Sequence, residues 1–149
     1  MTVQMTGEQA MWEVLPLGST DPEQVAQAAD AVAEMVRTLN HATVTSGAAA
    51  AALPWPSSVG TVAGRLHAAL YGIEQLLGQL AGRMDAIADN PRLYHDGNRA
   101  DYEFAASSAR QAAEDLRRAQ AARAQLTGRL QAALGHIGRL GILDEGEQR

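Results

Sequence analysis

Apolar residues recur along this chain in three long rows of period seven, each bounded by residues that stop a helix. In the first row Val25, Val32, Leu39, Ser46 and Leu53 stand seven apart, with Ala28, Met35 and Ala42 three positions later. That spacing lays one apolar stripe along a helix. Thr20 or Asp21 can cap its start, Pro22 suits the first helical position, and Glu23 faces the positive end of the helix dipole. The stretch Thr43–Gly47 is poor helix material by propensity. The register nevertheless runs through it unbroken, so one helix is expected over 21–52, with a kink or break near Ser46–Gly47 as the alternative. Leu53-Pro54-Trp55-Pro56 must end it, because each proline lacks an amide donor and turns its predecessor away from the α region.

The second row is the cleanest. Val59, Leu66, Ile73, Leu80 and Ile87 stand at sevens, with Val62, Ala69 and Leu76 at three beyond and Ala63, Leu70, Leu77 and Met84 at four beyond. It predicts a helix over 57–89, capped by Ser57 or Ser58 and stopped by Asn90-Pro91. Ile73, in the middle of this row, is expected in the core, and Arg110 of the third helix on the outer face. The third row, Tyr102, Ala109, Leu116, Arg123, Leu130 and Ile137, predicts a helix over 98–139 with Asn98 or Asp96 as its cap. Short connections make neighbouring helices antiparallel. The expected fold is therefore all-α, an antiparallel three-helix bundle with coiled-coil-like packing. Its third helix is expected to outrun the other two by more than two turns. An irregular arm over 1–20 precedes the single bundle domain of 21–141, and an acidic, frayed tail follows over 142–149.

Composition sharpens this picture. Aromatic residues make up 4% of the chain and alanine occurs 30 times, which disfavours a sandwich or barrel and favours helices packed through small side chains. There is no cysteine, so disulfides, thiolate metal sites and cysteine nucleophiles are excluded. No histidine has a partner at metal-ligand spacing, and no phosphate-binding loop or nucleophile elbow occurs. Tyr94-His95-Asp96 is the nearest approach to an acid–base group, and a loop histidine beside an aspartate is ordinarily solvated. The expectation is a protein that is not an enzyme, with no catalytic residue, cofactor or metal. No apolar run is long enough to cross a membrane. The first residues lack the basic region of an export signal, so the expected compartment is the cytoplasm.

All 12 basic residues are arginine, and the net charge is −5. A negative chain has no general pull towards nucleic acid or anionic lipid. The charge is uneven, however. Arg110, Arg117, Arg118 and Arg129 give the third helix a basic face, which suits phosphates or an acidic partner and otherwise serves to complement the acidic first helix. Arg123 interrupts the apolar row of the third helix, as Ser46 interrupts that of the first. The two breaks are candidates for one polar layer that fixes register. The alternative is that Arg123 reaches outward along its stem. Trp12, in the arm, and Trp55, in the turn, are candidate contact residues. So are Leu134, Ile137 and Leu140, at the end of the third helix, where an uncovered stripe would mark a contact.

The segment Leu53–Gly82, LPWPSSVGTVAGRLHAALYGIEQLLGQLAG, resembles small uncharacterised helical proteins of actinobacteria, some carried near plasmid-type or phage-type genes. That resemblance implies no activity. The Trp55-Pro56-Ser57 turn, with Gly60 as its nearest glycine, also resembles WXG100-type secretion substrates, helical hairpins with Trp-x-Gly in the turn. The tyrosine–acid secretion signal of that family has no matching form after the second or third helix. Three functions follow as expectations. The first is a non-catalytic interaction or scaffold protein that contacts a protein partner or itself, as a homodimer. The second is a nucleic-acid accessory protein of a mobile element, using the third helix. The third is a WXG100-like secreted helical protein.

Overall fold

The computed structural model describes residues 18–142. Trp12, with the rest of the arm up to residue 17, lies outside the described residues, as does the tail from 143 onward. Among the described residues four helices occur: α1 (Pro22–Thr43), α2 (Ser46–Ala52), α3 (Pro56–Ala88) and α4 (Tyr102–Ile137). Among the described residues there is no strand, only an isolated bridge between His95 and Asn98. The chain divides into two compact units, Met1–Pro54 and Trp55–Arg149.

In the first unit the helix expected over 21–52 is two helices. Asp21 caps α1 by accepting from the Glu23 amide, with Pro22 in the first turn as its sequence predicts. The helix stops at Thr43, whose hydroxyl donates to the Leu39 carbonyl at 2.9 Å. Thr45 then takes an extended backbone (φ −116, ψ 155) and caps α2, its hydroxyl accepting from the Ala48 amide at 3.1 Å. The physical reason is local. Thr43, Val44 and Thr45 are consecutive β-branched residues, which lose side-chain freedom in a helix. A threonine hydroxyl also offers the backbone a cap in exchange for helix continuation. The break falls at Val44–Thr45, just ahead of Ser46–Gly47.

In the second unit α3 and α4 pack as an antiparallel hairpin. Pro56 opens α3 directly after Trp55, which makes no side-chain cap, so neither Ser57 nor Ser58 is the cap. Proline's fixed φ suits the first helical position and sets the start ahead of the serines. Asp101 caps α4, accepting from the Phe104 amide at 3.0 Å, in place of Asn98 or Asp96. Those earlier residues belong to the connecting loop, where the Asn98 amide donates to the His95 carbonyl. Tyr102 ties the loop end of the hairpin together by donating to the Ala88 carbonyl at 2.8 Å. At 33 and 36 residues, α3 and α4 are nearly equal, so the third long helix does not outrun the second.

The seam between them sets small residues among larger, half-buried ones. On α3 it runs Gly60, Ala63, His67, Leu70, Glu74, Leu77, Ala81, Met84 and Ala88, none of them exposed. On α4 it runs from Tyr102 through Ala106, Ala109, Ala113, Leu116, Gln120, Arg123, Thr127, Leu130 and Leu134 to Ile137, again with none exposed. Both are heptad seams of the knobs-into-holes kind. Among the described residues the fully buried ones are alanines, and no large side chain is fully buried. Ile73, expected in the core, is 41% exposed, and its neighbours Leu66, Leu76 and Leu80 are 42%, 52% and 44% exposed. Successive helix residues are about 100° apart. The row through Val59, Leu66, Ile73 and Leu80 is therefore a quarter turn round α3 from the seam. The adjacent row of alanine, glycine and mixed residues permits the closer approach, and α4 takes it.

Candidate functional site

Two features of the hairpin stand apart from ordinary helix packing. One is a polar cluster inside the seam; the other is the apolar side that the seam leaves uncovered.

The polar cluster centres on Arg123. Its side chain is 13% exposed and pairs with Glu74 of α3 at 2.5 Å. A guanidinium nitrogen also lies 3.2 Å from the Thr127 hydroxyl, which itself donates to the Arg123 carbonyl at 2.9 Å. The guanidinium sits over the Tyr71 ring, 4.8 Å from its centroid, a cation–π arrangement. Its Nε is buried without a hydrogen-bond partner. Arg123 thus turns into the seam and does not extend along its stem to solvent. Sequence reasoning singled out Arg123 and missed Glu74, Tyr71 and Thr127. A signal for Glu74 exists in the row Gly60, His67, Glu74, Ala81, a charged position at helix-seam spacing. Ser46, the other proposed member of a polar layer, is exposed in the first turn of α2.

The basic face of α4 is largely neutralised. Arg110 pairs with Asp89 at 3.3 Å, and Arg117 pairs with Asp85 at the C-terminal end of α3. Arg118 holds Glu114 and Asp115, both at 3.4 Å. Arg129 is exposed and has no ion pair among the described residues. These are surface pairs, each contributing about 0–1 kcal/mol. Their larger effect is to leave one unpaired cation where four were expected.

Leu134 and Ile137 are half-buried against the start of α3 and line an open groove of about 360 Å³ with Ser57, Gly60, Thr61, Gly138 and Leu140. Leu140 and Trp55 are exposed, at 64% and 52%. In the loop, Nδ1 of His95 accepts from the Gly97 amide at 3.0 Å, and its ring packs edge-on against Phe104. That leaves Tyr94-His95-Asp96 without an assembled acid–base pair. Among the described residues no group of three histidine or acidic side chains is placed to hold a metal ion. No helix among them is long and apolar enough to cross a membrane.

The uncovered side is continuous. On α3 it comprises Val59, Leu66, Ile73, Leu76 and Leu80, all exposed. Because α3 and α4 run antiparallel, stepping one residue back from the seam on each helix turns to the same side of the hairpin. On α4 that step gives Ala105, Ala112, Ala119, Leu126, Ala133 and Leu140, with Leu126 and Leu140 exposed. The result is a ridge of large apolar side chains beside a low shelf of alanines. Burying such half-exposed leucines and isoleucines fully is worth about 1 kcal/mol each. Set against protein-family profiles, curated proteins and solved structures, the chain matches none.

Proposed function

We propose that this protein is a non-catalytic helical interaction protein whose contact surface is the apolar side of the α3–α4 hairpin. One observation carries this reading: the hairpin's buried residues include Ala81, Ala88, Ala106, Ala109 and Ala113, while the neighbouring row of Leu66, Ile73, Leu76 and Leu80 on α3 stays exposed. A monomer in isolation gains nothing from that arrangement, whereas an amphipathic helix laid along the ridge buries it. A helix seated there completes the coiled-coil-like three-helix bundle that the sequence predicts. The ion pairs of Arg110, Arg117 and Arg118 favour this reading over nucleic-acid binding, since phosphate attraction depends on free positive charge.

The test is the double substitution Leu66→Glu with Ile73→Glu, read by light scattering, dye binding to apolar surface and thermal unfolding. The expected outcome is loss of association or of thermal stability, with helicity by circular dichroism retained. A wild-type monomer whose mass, dye binding and melting are all unchanged by the substitutions overturns the reading.

A further inference from the structure

We propose that the loop between α3 and α4 carries a self-modifying site: Asp96 cyclises onto the amide of Gly97, with His95 as the base, and reopens to an isoaspartyl linkage. The sequence supplies the reacting pair. The carboxyl carbon of an aspartate and the amide nitrogen that follows it can close a five-membered ring, and a glycine next in line puts no Cβ in the way. Of the eight aspartates in the chain, Asp96 is the one followed by glycine, and no Asn-Gly pair occurs. The Asp96 side chain is 90% exposed, so water reaches the carboxyl group at which the ring closes.

The structure supplies the base. An amide nitrogen is a poor nucleophile until its proton is taken, and a neighbouring imidazole is suited to take it. The Gly97 amide donates to His95 Nδ1 at 3.0 Å. Nδ1 therefore presents its lone pair to the proton that has to move, with the ring proton on Nε2. The imidazole is held there from two sides. Phe104, in the first turn of α4, packs edge-on against it with ring centroids 4.7 Å apart. The Asn98 amide donates to the His95 carbonyl at 2.9 Å, which closes the turn over Asp96 and Gly97. The fit is tight enough to favour glycine, since a Cβ at residue 97 would stand 3.2 Å from His95 Nδ1 and 3.3 Å from its Cε1. A guanidinium nitrogen of Arg99 lies 4.0 Å from Asp96 Oδ1, beside the carboxyl group on which negative charge builds as the ring closes. Arg99 is itself seated over the Tyr94 ring.

The steps balance with water as the sole co-reactant. Gly97 N bonds to Cγ of the protonated Asp96 carboxyl group, and the amide proton passes to His95 Nδ1. The Cγ–OH bond breaks, and the hydroxide leaves with that proton as water, which restores the neutral imidazole. The product is a succinimide, lighter than the chain by one water. A water molecule then adds at one of its two carbonyls. Addition at Cγ restores the aspartate. Addition at the former main-chain carbonyl leaves Gly97 joined through Cγ, with the main chain one atom longer and a free α-carboxylate on the loop. The added atom falls inside the turn that Asn98 closes and outside both helices.

The experiment follows the full chain by peptide mapping during incubation at neutral pH. Trypsin cuts after Arg92 and Arg99 and releases the peptide Leu93–Arg99. Its isoaspartyl form has the same mass and a different chromatographic retention. The expected result is that this form accumulates well ahead of isomerisation at any of the other seven aspartates. His95→Gln keeps an acceptor for the Gly97 amide but cannot take its proton, and His95→Phe keeps a ring against Phe104. Each should slow accumulation several-fold. Free imidazole in the buffer should restore much of the lost rate in both variants and change the wild type little. Circular dichroism checks that helicity is kept, and should His95→Phe lose it, His95→Gln decides. An Asp96 no more modified than the other aspartates overturns the proposal. Equal rates in the wild type and the variants overturn it too. So do slowed variants that imidazole fails to rescue, because His95 would then hold the turn without acting as a base.

Discussion

At the scale of single residues, the Arg123–Glu74 pair decides how α3 and α4 meet. The alanines of the seam are smooth and specify register weakly, whereas a charged pair beside them is satisfied at one setting only. Such pairs contribute less to stability than to uniqueness, since desolvation offsets their attraction. Glu74→Ala, which leaves Arg123 enclosed without its carboxylate, is therefore expected to cost about 1–3 kcal/mol in a urea titration. The double substitution Glu74→Met with Arg123→Met should restore wild-type stability or exceed it. A double mutant as unstable as the single one would show that the pair contributes net stability. Arg123 is legible in the sequence because it breaks an apolar row. Glu74 is legible only as a charge at seam spacing, because its own row of glycine, histidine and alanine does not read as a core.

At the scale of elements, helix ends are set by residues whose effect is local, and there the sequence is only partly transparent. Asp21 followed by Pro22 reads as a start and is one. Ser57 and Ser58 read as caps and lie inside α3, because Pro56 already occupies the first turn. The heptad register from Val25 to Leu53 hides the break at Val44–Thr45. Periodicity reports which side a residue occupies and not whether the backbone between two turns stays helical. Glycine substitutions separate backbone cost from packing cost along α3. Gly82 has open space where a Cβ would stand, so Gly82→Ala should raise stability by about 0.5–1 kcal/mol. At Gly60 the same atom meets Ile137 Cγ2 at 3.2 Å, so Gly60→Ala should forfeit that gain. Melting temperatures of the two variants measure the difference, and equal gains would mean that the α3–α4 approach is looser than the seam implies.

At the scale of the whole molecule, all-helical architecture and long amphipathic stripes were legible, and the allocation of stripes to partners was not. Three rows share one period, so spacing alone cannot say which row meets which helix. Residue size decides: the row containing Ala81 and Ala88 admits α4 closely, and the row of Leu66, Ile73 and Leu80 stays outside. On self-association through this ridge, the effect of Ile73→Ala becomes dependent on protein concentration. In a lone chain the half-exposed side chain should cost about 1 kcal/mol. Where the ridge is covered by a second copy the cost should rise towards about 2–5 kcal/mol. Urea titrations at low and high protein concentration supply the comparison, and a cost that does not change would separate Ile73 from assembly.

The alanine seam also governs which sequences this fold can accept over time. Ala106 and Ala113 have no exposed surface, so any larger side chain there must push two helices apart along their length. Those positions are closed to drift in size. The leucines and isoleucine of the open ridge face no such wall, and aliphatic residues can interchange there with little penalty. A lineage carrying this fold would therefore keep its smallest residues most rigidly and vary its largest ones, the reverse of a protein whose bulky core is the conserved part. Changes on the ridge alter which helix fits there without disturbing the hairpin that presents it.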